Sequence, residues 1–582
     1  MKKTKQSSGG AVHVVMVPAP LQGHLTPFVH LALKLASHGF TVTFLNTHAT
    51  HSKLIRSAPA SAAGNNSSDI FSDARDRSGL DIRYAVISDG FPPGSDQGIN
   101  EDMFIHGLIH VFSAHVDDFI GSLRQNSDVN PPVSCLLADS FLVWPSAVAR
   151  KHGLVNVSFW TQSALAFTMY FHKELLSAHG HLGPQDNNGE DEVIDYIPGV
   201  EAIKTRDIPS HLQDSEPWTL MNTYVFKSLE DAVKADIIVS NTVFELESSA
   251  IAALQRKKLF YPVGPVFRDS VPQKTAVPTS FRPESADCRP WLDARPENSV
   301  LYVSFGSLAS VDKHAIREIA RGLALSGASF LWAIRGDITG SSADEPDLFP
   351  AGFGREVEGR GLVVPWCNQT EVLSHRATGG FLTHCGWNSV LESVWWEVPM
   401  LCFPLFTDQP ANRRLVVDDW KVGINLCDGK AVEREEVRGE VRGKANRLMS
   451  RGATRERLGE KVKLAKEKLQ RAVSANGSSE KHLEAFMHEL KLKAQHRVRL
   501  GFTVTFLNPH ANLIRAAAAA GESSSGIFSD ARTGSELDIR YALIGDGFDR
   551  SANHDTFLLG LLHVFSAHVV DFIGSLRRRS EQ

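Results

Sequence analysis

The sequence predicts an α/β protein with two doubly wound, parallel-sheet domains and, behind them, a partial repeat of the first. Three observations carry this. Ala11–Val17 is an apolar run that gives way to a loop, a helix-period stretch and a second apolar run, the βαβ opening of a parallel sheet with right-handed crossovers. From Ser299 a second series of short apolar runs alternates with helical stretches. From Gly501 the chain copies segments already used near its start.

With 582 residues, two or more domains are expected, and 42% hydrophobic with 22% charged residues is an ordinary globular balance. A formal net charge of −5 argues against a nucleic-acid surface. The six cysteines (Cys135, Cys288, Cys367, Cys385, Cys402, Cys427) show neither C-x-x-C spacing nor zinc-type histidine pairing. Scattered thiols fit a reducing compartment, so a cytoplasmic location is expected. Met1–Lys5 is basic, but the apolar run after it is short and broken by His13, Pro18 and Pro20, unlike a signal peptide. No segment reaches the roughly 18 apolar residues that span a bilayer, so no membrane anchor is expected. Asn65 and Asn66 begin glycosylation-type triplets, which are common by chance and carry little weight without a secretory signal.

The first domain is read as residues 11–265. Pro18–His24 is a loop containing Gly23, Leu25–His38 has helical periodicity, Gly39 stops that helix, and Phe40–Leu45 is the second strand. Phe104–Leu123 reads as an amphipathic helix, with Phe104, Leu108, Val111, Phe112, Val116, Phe119, Ile120 and Leu123 on one side. Val133–Ala138 is a buried strand ending at Asp139. His24 and Asp139 both follow strands, and in open α/β sheets those positions face the crevice at the strands' carboxyl ends. A lone loop histidine is more often solvated or structural; Asp139 at the matching edge shifts the balance toward a pair. Thr161 is a hydroxyl at another strand end. Pro184–Asp195 is polar and acidic, hence an exposed loop. The aromatic stretches around Phe91, Phe104, Phe141, Trp144 and Trp218 suit either plain core or the wall of an apolar pocket.

Val263-Gly264-Pro265 closes the first domain, and residues 266–290, rich in Pro, Ser and charge with no apolar period, read as a linker. The second domain is read as residues 291–477. Its strands are Ser299–Ser304, Phe330–Ile334, Leu362–Pro365, Gly380–Thr383 and Met400–Phe403, with a helix at His314–Leu325 and a charged helical region over Lys444–Ala472. Residues 478–495 carry a last helix with Leu483, Phe486, Met487 and Leu490 on one face. Residues 496–582 partly duplicate residues 37–126. Gly501–Asn508 copies Gly39–Asn46, Leu537–Phe548 nearly copies Leu80–Phe91, His563–Val569 copies His110–Val116, and Asp571–Arg577 copies Asp118–Arg124. The copy contains no equivalent of His24 or Asp139. A true duplication and a fused gene reading remain alternatives.

The chain is organised around Trp366–Gln409. Gly380–Thr383 reads as a strand, His384-Cys385-Gly386-Trp387-Asn388 as a tight turn, and Ser389–Trp395 as a helix, with Ser389 as N-cap and Glu392 completing a capping box. Strand, glycine turn and helix N-terminus make an anion site, because free backbone N–H groups and the helix dipole point the same way. Gly386 lets a phosphate approach the main chain, while His384, Asn388 and Ser389 can donate to its oxygens. Trp366 at one end and Asp408-Gln409 at the other suit a base and a sugar.

This segment resembles the donor box of the plant family 1 UDP-glycosyltransferases, and the resemblance extends from about Ala11 to about Leu492. G-H-L-T-P at Gly23–Pro27 is similar to that family's catalytic-histidine loop, and A-D-S-F at Ala138–Phe141 to its aspartate segment. The resemblance implies the GT-B fold, two Rossmann-like domains facing a cleft, with the last helix crossing back onto the first domain. It implies His24 as general base and Asp139 as the partner of its imidazole. It implies Trp366 stacked on uracil, the Cys367 backbone on the base edge, and Gln369 and Glu392 on the ribose, although a capping-box role competes at Glu392. Ser307, His384, Gly386, Asn388 and Ser389 would hold the pyrophosphate, Trp387, Asp408 and Gln409 the sugar, and Thr161 would lie near it. Gln409 implies glucose as that sugar. The expected activity is inverting transfer of glucose from a UDP-sugar, a co-substrate, to a hydroxyl of a small apolar acceptor of plant secondary metabolism. No cofactor is expected, and no D-x-D pair suggests a metal. The alternative is a catalytically impaired UDP-sugar or lipophile-binding protein of the same fold. A nicotinamide enzyme is disfavoured because no G-x-G-x-x-G follows the first strand. The chain departs from the family at Trp396-Glu397, where a small residue and then glycine are usual, and a left-handed residue is expected at Glu397.

Overall fold

The computed structural model describes residues 12–57, 69–91, 101–126, 128–183, 192–214, 219–267, 277–284, 287–339, 348–426, 434–500, 504–509 and 539–544. Ala11, Asn65, Asn66, residues 184–191, Trp218, residues 268–276, Cys427 and most of the repeat lie outside them.

Residues 1–494 form one compact unit, and residues 495–582 form another. In the first unit β1 (His13–Val17), β2 (Thr41–Thr47), β3 (Ile82–Ile87), β4 (Val133–Asp139) and β5 (Val155–Trp160) are followed by a short antiparallel ribbon, β6 (Val193–Ile194) and β7 (Ile203–Lys204). β8 (Ile237–Ser240) and β9 (Phe260–Pro262) complete a parallel sheet of order β3-β2-β1-β4-β5-β8-β9. A second sheet uses β10 (Val300–Ser304), β11 (Ser329–Ala333), β12 (Gly361–Val364), β13 (Thr378–Thr383), β14 (Met400–Cys402) and β15 (Gly423–Asn425) in the order β12-β11-β10-β13-β14-β15. Both are doubly wound sheets whose order reverses beside their first strand.

Strands buried on both faces explain the unbroken apolar runs. Along β1, Val14 and Met16 pack with the helix Gln22–Ser37, while Val15 and Val17 pack with the long helix that starts at Glu101. Along β10, Leu301 and Val303 face the helix Lys313–Ser326, while Val300 and Tyr302 face the other way. That last cluster is continuous from Trp160, Phe167 and Ile238 in the first domain to Phe381, Trp387 and Val390 in the second, so the two domains share apolar core.

Helix boundaries follow local chemistry. Gly39, at φ 82°, ends the helix Gln22–Ser37 as expected. Phe104–Leu123 lies within a longer helical stretch, Glu101–Gln125, interrupted by a π-helical turn at Gly107–Phe112. A Cβ on Gly107 would come within 2.7 Å of Phe91 and 2.8 Å of the Asp89 carbonyl, so the wide turn sits where neighbouring chain presses close. The charged region around 444–472 is two helices, Arg434–Met449 and Ala453–Ala472. The last helix runs Ser478–Leu500, and Leu483, Phe486, Met487 and Leu490 enter the core of the first domain. Among the described residues no helix is long and apolar enough to cross a membrane.

In the second unit β16 (Val504–Pro509) pairs in parallel with β17 (Ile539–Ile544). The register matches Val504 to Ile539 and Phe506 to Tyr541, the pairing that Val42–Ile82 and Phe44–Tyr84 make between β2 and β3.

Candidate active site

Both reversal points open into one cleft of about 2370 Å³ between the domains. His24 reaches it from the first turn of the helix after β1, and Asp139 is the last residue of β4, beside β1 in the sheet. His24 Nδ1 lies 3.0 Å from each Asp139 carboxylate oxygen and 3.3 Å from Thr161 Oγ1. Asp139 is buried behind the imidazole, and its two oxygens also accept the backbone N–H groups of Phe141 (2.9 Å) and Ala19 (3.2 Å). Those bonds fix the carboxylate before it meets the histidine. Burial alone would favour neutral His24, but the Asp139 charge and hydrogen bond, with Asp408 further off, outweigh it and hold the pKa above its ordinary 6.5. With Nδ1 engaged, Nε2 is the nitrogen that can accept a proton.

The other wall is built where β10 and β13 end. Ser307 lies in the loop after β10 and His384 in the turn after β13. The His384 ring occupies a slot between two glycines. A Cβ on either Gly306 or Gly386 would come within 2.5 Å of its Nε2. Gly306 also sits at φ 74°, so glycine is required there twice over. Burial first, and the nearby Arg335 charge second, push the His384 pKa down to about 4, so it stays neutral at physiological pH. A backbone hydrogen bond at Ser304 offsets only part of that depression.

The expected capping box is not formed. The helix starts earlier, at Trp387, with Gly386 as N-cap and no side-chain cap. Ser389 and Glu392 instead point to Gln369, whose Nε2 donates to Ser389 Oγ (3.0 Å) and Glu392 Oε2 (2.7 Å). The physical reason is the turn itself: Cys385 at φ 66° reverses the chain two residues sooner than the sequence pattern suggested, and the helix begins with free N–H groups. Burial raises Glu392 to about 7, so it carries only part of a charge at neutral pH.

The remaining expected residues share this cleft. Trp366 donates its indole N–H to Ser280 Oγ at 3.0 Å, which fixes the plane of its ring. Cys367 is buried with its Sγ 3.7 Å from the Tyr302 hydroxyl. Trp387 spends its indole N–H on the Asn241 carbonyl at 2.7 Å, so that donor is not available to a ligand. Asn388 Nδ2 donates to the Gly23 carbonyl at 2.7 Å, tying the helix Trp387–Trp395 to the helical turn that carries His24. Asp408 is held by Asn412 Nδ2 (2.7 Å) and Thr407 Oγ1 (2.9 Å), and burial raises its pKa. Gln409 Oε1 accepts the backbone N–H groups of Leu405 (2.8 Å) and Phe406 (3.1 Å), so its amide nitrogen is the group it can present.

Sequence reasoning missed a strap. Residues 277–284, read as part of a featureless linker, line the cleft. Gln22 accepts from the Phe281 N–H at 2.7 Å and donates to the Thr279 carbonyl at 2.5 Å, and Arg282 lies over Trp366 with 6.0 Å to the ring centroid. No periodicity marks such a segment, because its order comes from long-range partners. Phe91, Phe104 and Phe141 line the cleft, whereas Trp144 is core.

Two family models match the chain. Residues 226–430 match "UDP-glucoronosyl and UDP-glucosyl transferase", and residues 10–72 match "Glycosyltransferase, N-terminal domain". UDP-glycosyltransferase 86A1 of Arabidopsis thaliana is 51% identical over 484 residues, 82% of this chain and 94% of that protein. The 7-deoxyloganetin glucosyltransferase of Catharanthus roseus is 33% identical over 508 residues, 83% of this chain and 97% of that protein. Among solved structures, Phytolacca americana UGT2 with UDP-2fluoro-glucose and pterostilbene superposes with a TM-score of 0.65 at 28% identity, covering 83% of this chain and all of that one. Medicago truncatula UGT71G1 with UDP-glucose gives 0.64 at 25%, covering 83% and 98%. The likeness covers more than four-fifths of the chain, and on that evidence the chain belongs to the family 1 UDP-glycosyltransferases of plants, a family of enzymes with the GT-B fold.

Proposed function

We propose that the chain transfers glucose from UDP-glucose, with inversion at the anomeric carbon, to a hydroxyl of a small and largely apolar acceptor. The observation that carries this reading is the His24–Asp139 pair facing, across one cleft, a turn and helix N-terminus suited to a diphosphate. His24 Nε2 takes the acceptor's hydroxyl proton as the acceptor oxygen bonds to the anomeric carbon. The bond from that carbon to the diphosphate oxygen breaks, and UDP leaves with both electrons. Asp139 stabilises the imidazolium that forms. His384, Ser307, Ser389, Asn388 and the amides beside Gly386 receive the diphosphate, which stabilises the developing charge. Trp366 carries the uracil, the Cys367 main chain its edge, and Gln369 with Glu392 the ribose. Trp387 through its main chain, Asp408 and Gln409 bind the sugar, with Thr161 beside it.

The acceptor sits among Phe91, Phe104 and Phe141. An aromatic wall of this kind suits the compact, weakly polar alcohols and phenols of plant secondary metabolism, which a cytoplasmic enzyme would meet. The names of the Catharanthus relative and of the Phytolacca complex are of the same kind. Turnover of UDP-glucose, UDP-galactose and UDP-glucuronate against a panel of small phenols and alcohols tests the reading. The expected result is preference for UDP-glucose, stoichiometric UDP release and a product with the anomeric proton of a β-glucoside by NMR. An α-linked product, or preference for another sugar, contradicts it.

A further inference from the structure

The loop after β10 faces the cleft with Gly306, Ser307, Leu308, Ala309 and Ser310. What shapes it lies behind it. Arg335, just past the end of β11, is 4% exposed and lines a separate depression. Its Nη1 donates to the Gly306 carbonyl at 2.5 Å, its Nη2 to the Ala309 carbonyl at 2.8 Å, and its Nε to Asp337 Oδ1 at 3.0 Å. In a trans peptide the C=O and the following N–H point in opposite directions. Two carbonyls drawn back onto one rigid guanidinium therefore turn the N–H groups of Ser307 and Ser310 forward, toward the cleft. The same guanidinium places a fixed positive charge behind those amides, close enough to depress the neighbouring His384.

We infer that Arg335 is the positioning residue of the diphosphate site: it aims the Ser307 and Ser310 amides at the donor's diphosphate and backs them with charge without touching the donor. Arginine suits this and lysine does not, because a planar fork spans two carbonyls and a carboxylate at once while an ammonium is a single point. Asp337 links the same group to the base site, since its Oδ2 accepts from Arg282 at 2.7 Å and Arg282 lies over Trp366.

The inference rests on the donor-site reading above, and its test separates the two. Binding of UDP and of uridine is measured by calorimetry for the wild-type enzyme and for Arg335→Lys, with melting temperatures alongside. The expected result is a loss of UDP affinity of roughly ten- to a hundredfold in Arg335→Lys, with uridine affinity changed less than threefold, since only UDP uses the aimed amides. A parallel loss of both ligands, or of neither, overturns the positioning role. Failure of the wild-type enzyme to bind UDP at all overturns the donor-site reading instead. Hydrogen exchange on the wild-type enzyme gives the same decision if the variant does not fold. UDP should slow exchange of the amides between 306 and 310 and uridine should not; no protection by UDP contradicts the inference.

Discussion

Asp139 is the residue whose chemistry is most constrained. Each of its oxygens already accepts a backbone N–H, from Phe141 and from Ala19, as well as facing His24 Nδ1. In Asp139→Asn the amide NH₂ must face one of those donors whichever way it turns, and the charge that favours the imidazolium is gone. Turnover should fall by roughly 10²- to 10⁴-fold. Neutral His24 is the active form, so activity rises with pH through the His24 pKa, which lies above 6.5 in the intact pair. Removing Asp139 should move that acid limb to lower pH, and a pH–rate profile of kcat/KM checks the direction. The sign for stability is opposite. A histidine with a raised folded pKa stabilises the fold fully below its unfolded pKa, and that contribution is lost as pH rises through the folded one. The histidine and its aspartate were legible in the sequence because both follow strands. The clamp of Gly306 and Gly386 on His384 was not, because it joins loops far apart in the chain.

At the scale of elements, the helix Trp387–Trp395 shows what local chemistry settles. It closes in a Schellman motif: the Val398 N–H bonds the Ser393 carbonyl at 2.9 Å and the Glu397 N–H bonds the Val394 carbonyl at 3.1 Å. Glu397 has φ 63°, as the usual glycine at this position led us to expect. The departure from the family pattern therefore leaves the turn intact, and Lys466 holds the Glu397 carboxylate at 3.0 Å. Glu397→Gly removes about 1–2 kcal/mol of left-handed strain and loses a half-exposed ion pair worth about 0–1 kcal/mol. The net expectation is a modest stabilisation, seen as a melting temperature a few degrees higher; a lower one means the Lys466 pair outweighs the strain. The start of the same helix was misread, because a Ser with Glu three residues on mimics a capping box when both side chains in fact serve Gln369. Strand periodicity located eight of the thirteen strands of the two large sheets, and the edge strands β9 and β15, three residues each, are too short to carry a pattern.

Residues 1–494 are two doubly wound domains locked by contacts that sequence pattern cannot show. They include the shared apolar cluster, the buried Arg413–Asp207 ion pair, and Trp420 donating to the Leu246 carbonyl at 3.0 Å. The last helix adds Phe486 and Leu490, both fully buried, to the first domain's core. Among its residues of described burial the last buried one is Ala494, where the first unit ends. A chain ending at Gln495 keeps every one of those contacts, so it should bind UDP with unchanged affinity and melt within about 2 °C of the full chain, with less aggregation. β16 and β17 reproduce the register of β2 and β3, and the copied sequence begins after the equivalent of β1. Loss of soluble protein or of UDP binding on truncation would show that residues 496–582 belong to the fold.

The central claim is that His24 is the base and that donor binding belongs to the opposite wall. His24→Ala tests it most directly, with glucoside formation and UDP binding measured on the same sample. The expected result is transfer reduced by at least roughly a thousandfold while the UDP dissociation constant stays within threefold of the intact enzyme. Near-normal turnover with an oxygen acceptor, or UDP binding lost together with transfer, contradicts it.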